Sequence, residues 1–276
     1  MINIKKLGIV AGNGDLPISI IKECKNKEIE PFIVSIDGFA DKNKYSNLNH
    51  ISITFGGVGK AISFFKKNDV KYIVLAGGVK KPHLKTIRPD LKGFFLLLKL
   101  LKCKFFGDDS ILQTVILFLE KQGLQVIPVD KILTDVKIPC GIAGKIDMPS
   151  KDYKDDVALG TKVLKQISDL DIGQSVVVQN GIVLGIECIE GTEKLIERCS
   201  KLKYTSGRKP ILVKIKKIRQ TRKADLPTIG CDTIKQVKYA GFAGIAIDHE
   251  NCLVINRDDT IKLANENNIF IMGIKI

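Results

Sequence analysis

The strongest constraint on the fold is an alternation. Between residues 7 and 129, short apolar runs closed by glycine alternate with helical stripes. Residues 7–11 are apolar, as a strand buried on both faces requires, and Gly12-Asn13-Gly14 ends them. Pro17 then suits the first turn of a helix carrying Ile20, Ile21 and Cys24 on its inner side. Residues 31–36 read as the next strand and residues 50–55 as a third, turned by Gly56-Gly57. Val58, Ala61, Ile62 and Phe65 recur at i, i+3, i+4 and i+7, one face of an amphipathic helix. Residues 72–76 are another buried strand, ended by Gly77-Gly78. Asp108-Asp109-Ser110 can cap a helix striped by Leu112, Val115, Ile116 and Leu119, and residues 125–129 close the series as a strand. This βαβ order specifies a mostly parallel, Rossmann-like sheet covered by helices.

Near residue 135 the pattern changes. Residues 136–156 are rich in Gly, Pro and Asp and read as a linker or active-site loop. Val157, Gly160, Leu164 and Ile167 stripe a helix. Strands at 175–179 and 182–188 flank Asn180-Gly181, the two-residue signal of a type I′ hairpin. A helix at 192–199 and a strand at 211–215 follow, then a helix at 234–240 and strands at 242–247 and 252–255. Asp258-Asp259 can cap a last helix before a strand at 269–274. The expected fold is α/β in two domains: residues 1–134 Rossmann-like, residues 135–276 a mixed α/β domain.

Forty-four Lys and Arg against 30 Asp and Glu leave a net charge of +14, which favours anionic partners. With no basic tail or arm, charge does not choose among nucleic acid, phosphorylated metabolites and an anionic membrane surface. The seven cysteines are scattered without a C-x-x-C, the pattern of buried thiols in a reducing compartment. The N-terminus runs directly into the first strand without a secretory signal, and no apolar run reaches the ~20 residues of a membrane span. A soluble, cytoplasmic protein is the expectation.

Several groups could carry chemistry. Gly12, Asn13 and Gly14 stand at a strand-to-helix junction, where backbone N–H groups and the helix dipole can hold phosphate, or serve as turn residues only. Pro17 occupies the place of the third glycine of a dinucleotide fingerprint, which disfavours a nicotinamide cofactor. Gly77 and Gly78, followed by Lys80 and Lys81, repeat the arrangement, and the lysines could neutralise a diphosphate. Asp108 and Asp109 suit Mg²⁺ and helix capping equally. Residues 94–106 mix phenylalanine and leucine with three lysines, as an interfacial helix or a core helix would. Asp225 lies beside Arg222 and Lys223 and precedes Pro227 and Gly230. A carboxylate flanked by cations stays ionised and could activate water or bind Mg²⁺. His50, His83 and His249 have no partner at metal or triad spacing.

These signals combine in a resemblance. Asp225-Leu226-Pro227-Thr228-Ile229-Gly230, Asp171-Ile172-Gly173-Gln174-Ser175 with Glu187, Glu190, Gly191, Thr192 and Arg198, and the N-terminal Leu7-Gly8-Ile9-Val10-Ala11-Gly12-Asn13-Gly14 resemble the UDP-2,3-diacylglucosamine pyrophosphatases of the non-metallophosphoesterase type. Ala76-Gly77-Gly78-Val79, Lys81-Pro82 and Gly107-Asp108-Asp109 match as well, so order and spacing agree along nearly the whole chain. The resemblance implies two domains and a Mg²⁺-dependent hydrolysis of UDP-2,3-diacylglucosamine to 2,3-diacylglucosamine 1-phosphate and UMP, with water attacking the sugar-side phosphorus. It makes Asp225 the residue essential for turnover, the candidate either to orient the attacking water or to hold Mg²⁺ as a metal ligand. Gly12, Asn13, Gly14, Gly77, Gly78, Lys80, Asp108, Asp109, Gln174, Glu187, Glu190, Thr192, Thr228 and Gly230 are the expected substrate-binding residues. The partner it implies is a UDP-linked diacylated glucosamine, with no nucleic acid; a lipidic substrate and a cationic chain together suit peripheral contact with the cytoplasmic face of the inner membrane. An oxidoreductase using the Gly12 loop and a non-catalytic nucleotide-sugar or lipid sensor are the alternatives.

Overall fold

The computed structural model describes residues 4–79, 87–102, 108–218, 220–223 and 226–276. The chain divides into two compact units: Met1–Thr134 with Thr221–Asp225, and Asp135–Gln220 with Leu226–Ile276.

In the first unit, β1 (Lys6–Ala11), β2 (Glu30–Ile36), β3 (Asn49–Ile53), β4 (Tyr72–Ala76) and β5 (Gln125–Val126) form a parallel sheet in the order β3-β2-β1-β4-β5. Helices α1 (Leu16–Asn26), α2 (Val58–Lys67), α3 (Leu91–Lys102) and α4 (Asp108–Lys121) accompany it. The α2 stripe is buried as its spacing requires: Ala61, Ile62 and Phe65 join Val34, Ile73 and Leu119 in one core. Each of its larger side chains contributes about 1.5–3 kcal/mol. β5 is shorter than the expected 125–129 because Pro128 has no N–H to continue the ladder, and a single 3₁₀ turn, Val129–Lys131, follows. The apolar run at 94–106 is helical as far as Lys102, and residues 103–107 lie outside the described residues.

The second unit holds a six-stranded mixed sheet. It uses β6 (Gly141–Ile142), β7 (Ser175–Gln179), β8 (Ile182–Ile186), β9 (Ile211–Lys214), β11 (Gly244–Asp248) and β13 (Phe270–Ile274), in the order β6-β13-β11-β9-β7-β8. β9, β11 and β13 run parallel, while β6 and β7 pair antiparallel at either side. Helices α5 (Tyr153–Ile167), α6 (Gly191–Leu202), α7 (Cys231–Ala240) and α8 (Arg257–Glu266) pack around it. β10 (Thr228–Ile229) and β12 (Leu253–Val254) make a separate parallel pair. The α/β class with a parallel first sheet and a mixed second sheet is thus observed.

Asn180 and Gly181 join β7 to β8 with φ of 54° and 73°, as a type I′ turn demands. The 136–156 stretch is more ordered than its composition suggested. It supplies β6 to the sheet edge, and α5 starts at Tyr153. Asp156, fully buried in α5, accepts the Gly181 N–H at 2.6 Å and pairs with Arg208, so tertiary contacts tie the hairpin turn to the helix. Cys24, Cys199 and Cys252 are buried as expected, but Cys140 and Cys188 are exposed.

Candidate functional site

The first unit brings its two glycine loops together. β1 lies between β2 and β4, so strand order reverses between β1 and β4, where open α/β sheets bind ligands at the carboxyl ends of their strands. Gly12-Asn13-Gly14 follows β1 and Gly77-Gly78 follows β4. The Gly12 N–H donates to the Ala76 carbonyl (2.8 Å), and Asn13 and Gly78 exchange N–H···O bonds of 2.9 Å in both directions. The Gly14 N–H donates to the Asn13 side chain at 2.8 Å. A Cβ on Gly12 would stand 2.6 Å from the Gly78 carbonyl, and one on Gly77 (φ +91°) 2.5 Å from that of Asn13. Only glycine permits this approach. All three N–H groups of the first loop are already spent on the protein. An anion here would therefore meet the α1 N-terminus more readily than these amides.

The second unit builds a buried polar network at one end of its sheet. Ser175 opens β7 opposite Lys214, which closes β9, while Glu187 follows β8 and Thr192 stands in the first turn of α6. Ser175, Lys214 and Glu187 are 0%, 3% and 7% exposed. The Lys214 ammonium donates to Thr192 Oγ1 (2.7 Å) and Ser175 Oγ (3.1 Å). Thr192 in turn donates to Glu187 Oε1 at 2.8 Å, and the Gln174 N–H reaches Glu187 Oε2 at 3.3 Å. Burial alone would raise the Glu187 carboxyl. The Lys214 charge, with hydrogen bonds from Ser175, Thr192 and the Gln174 N–H, outweighs burial and holds it below its ordinary value. The Gln174 side chain continues the network by accepting from Gln220 Nε2 at 3.2 Å.

Other expected residues are placed nearby in sequence but bonded differently. Glu190 pairs with Arg198 at 2.8 Å, and the same guanidinium donates to the Ile186 carbonyl, which closes the loop between β8 and α6. The Arg198 hydrogen bond to the Glu190 carboxylate, before all else, holds that carboxyl below its usual range. Thr228 donates to the Leu226 carbonyl at 3.0 Å, and the Gly230 N–H donates to Thr233 Oγ1 at the start of α7. Asp108 and Asp109 open α4, though their side chains lie outside the described residues, as do Lys80 and Asp225 entirely. N-terminal to Asp225 the described chain makes ion pairs in each unit. Lys217 pairs with Asp171 within the second unit, while Arg222 and Lys223 pair with Asp130 and Glu120 at 2.7 Å within the first.

Both halves have known counterparts. Residues 6–136 match the LpxI N-terminal domain and residues 140–272 the LpxI C-terminal domain. Over 278 aligned positions the chain is 30% identical to UDP-2,3-diacylglucosamine pyrophosphatase LpxI of Caulobacter vibrioides, covering 98% of each chain. The chain belongs to the LpxI family.

In this LpxI family member the sequence reading missed Lys214, Ser175 and Gln220 as parts of the polar network. A signal existed for the first: Lys214 interrupts an otherwise apolar strand run, Ile211 to Ile215, where a charge is kept only if partnered. Among the described residues no three His, Cys, Asp or Glu side chains converge as a metal-ligand set, so any such set would have to include residues outside them. No helix among the described residues is long and apolar enough to cross a membrane. An open groove of about 620 Å³ between α5 and β13 is lined by Lys154, Lys162, Lys165 and Lys275, and none of the expected catalytic or substrate-binding residues borders it.

Proposed function

We propose that this LpxI family member hydrolyses the pyrophosphate of UDP-2,3-diacylglucosamine, releasing 2,3-diacylglucosamine 1-phosphate and UMP. The observation that carries the reading is end-to-end likeness: both LpxI domains match, and the relative bearing that activity in its name aligns over 98% of each chain. Water would bond to the sugar-side phosphorus. The bond from that phosphorus to the bridging oxygen would break, and UMP would leave with that oxygen. Asp225 acts at this phosphate, orienting the water and taking its proton or holding the metal.

The loops at Gly12, Asn13, Gly14, Gly77 and Gly78 are assigned to the UDP portion, with Lys80 offsetting its charge. Their place at the strand-order reversal of a parallel sheet supports this. Gln174, Glu187 and Thr192 hold the ends of β7, β8 and β9 in register through Lys214, and so shape the second unit's contribution. Mg²⁺, when bound, would neutralise charge on the diphosphate. Asp225 is its proposed ligand. A lipid-linked substrate places the reaction at the cytoplasmic face of a membrane.

The test is UMP release from purified substrate, with Mg²⁺ and then with a chelator. Wild-type protein should release UMP only with the metal, and Asp225→Ala should lose at least about a hundredfold in rate while still binding substrate. Wild-type turnover by Asp225→Ala, or no UMP from the native chain with Mg²⁺ present, defeats the proposal.

A further inference from the structure

Helix α3 presents an apolar face to solvent. Leu91, Phe94, Phe95, Leu98 and Leu101 are all exposed, Leu91 at 74% and Phe95 at 54%. They fall at i, i+3, i+4, i+7 and i+10, which puts them on a single stripe. The rotation that turns this stripe outward is set by the opposite face. Leu96 is buried in the core, and Leu100 packs against it. Gly93 approaches the Gly56 loop so closely that a Cβ would meet the Gly56 carbonyl at 2.0 Å. Asp90 locks the start of the helix, its carboxylate accepting the Gly93 N–H at 2.8 Å and the Lys60 N–H of α2 at 3.0 Å. Both aromatic side chains are thus held out of the core by the way the helix is seated. Monomeric proteins rarely leave such a contiguous stripe in water without a use.

The charge of the surrounding sequence indicates the occupant. Within the described segment 87–102 that carries the helix, the chain has Arg88, Lys92, Lys99 and Lys102 against one acid, Asp90. An apolar stripe in so cationic a stretch matches a surface of acyl chains under anionic headgroups, where each nearby cation adds about 1 kcal/mol. A second copy of this chain would instead bring the same cations face to face.

We propose that the outer face of α3 docks on anionic phospholipid bilayers, with Phe94 and Phe95 entering the acyl region. This goes beyond the hydrolytic reading and is tested without substrate, so its failure would leave that reading standing.

The chain contains no tryptophan, so Phe95→Trp installs a single reporter at an exposed position. With phosphatidylcholine vesicles containing phosphatidylglycerol its emission should move to shorter wavelength and the protein should float with the lipid. With pure phosphatidylcholine, or in high salt, both signals should fall. A Phe94→Ser/Phe95→Ser double variant, shown by circular dichroism to be folded, should float at least about tenfold less, because burial of even one phenylalanine exceeds that factor. Emission and flotation unchanged by anionic vesicles overturn the proposal, as does equal binding to neutral ones. So does a concentration-dependent mass increase with no response to lipid, which would assign the face to a second copy.

Discussion

The switch-point loops of the first unit and the polar network of the second both lock the end of a sheet, by opposite means. At Gly12 and Gly77 the lock is made from backbone alone. Reciprocal N–H···O bonds at 2.9 Å require that no side chain intervene. Around Lys214 the lock is made from side chains, with a buried ammonium and a buried carboxylate bridged through Thr192. The first arrangement tolerates no added atom, and the second tolerates no lost charge. Each region should therefore fail under a different kind of substitution.

The largest effect should come from unbalancing the network. Lys214→Met leaves Glu187 buried with its cation gone, and about 3–5 kcal/mol of stability should disappear, read by chemical denaturation. Adding Glu187→Gln to it should restore part of the loss. Additive losses in the double variant would break the view that the two charges work as a pair. Gly77→Ala should cost at least about 2 kcal/mol from positive φ and the clash with Asn13. If alanine is neutral there, the loops are held less tightly than the network, and the comparison fails on that side.

Acid separates the regions more gently. The Glu187 carboxyl titrates below its ordinary value of 4.5 when folded. Its stabilisation is complete above that value and is lost as pH falls through the folded-state one. Stability measured from pH 7 downward should decline in this acid range, and Glu187→Gln should flatten the decline. The described loop bonds involve only backbone groups and the Asn13 amide, and should add nothing to it. The smallest effect concerns thiols. Burial pushes Cys252, which feels the Lys214 charge, and Cys24 up to about 12. Both should resist a thiol reagent until unfolding, while exposed Cys140 and Cys188 react at once.

Much of this was legible in the residues themselves. Strand and helix periodicities of the first unit, the Asn180-Gly181 turn and the α/β class depend on neighbours within a few positions, and local sterics and apolar spacing decide them. Polar or irregular composition was less informative. Residues 136–156 read as loop because their Gly and Pro content says nothing of β13, against which β6 pairs. Gly12 and Gly77, 65 positions apart, could be named as turn glycines, but strand order alone made them neighbours.

What the sequence determined by itself was the alternation of strands and helices, and the order of motifs that places the chain in its family. Only tertiary structure decided that Lys214 is a buried partner of Thr192 and Ser175, and that Phe94 and Phe95 face outward from α3. The physical reason is range. Periodicity and turn chemistry act over a handful of residues, whereas burial, charge pairing and exposure depend on which distant strands become neighbours.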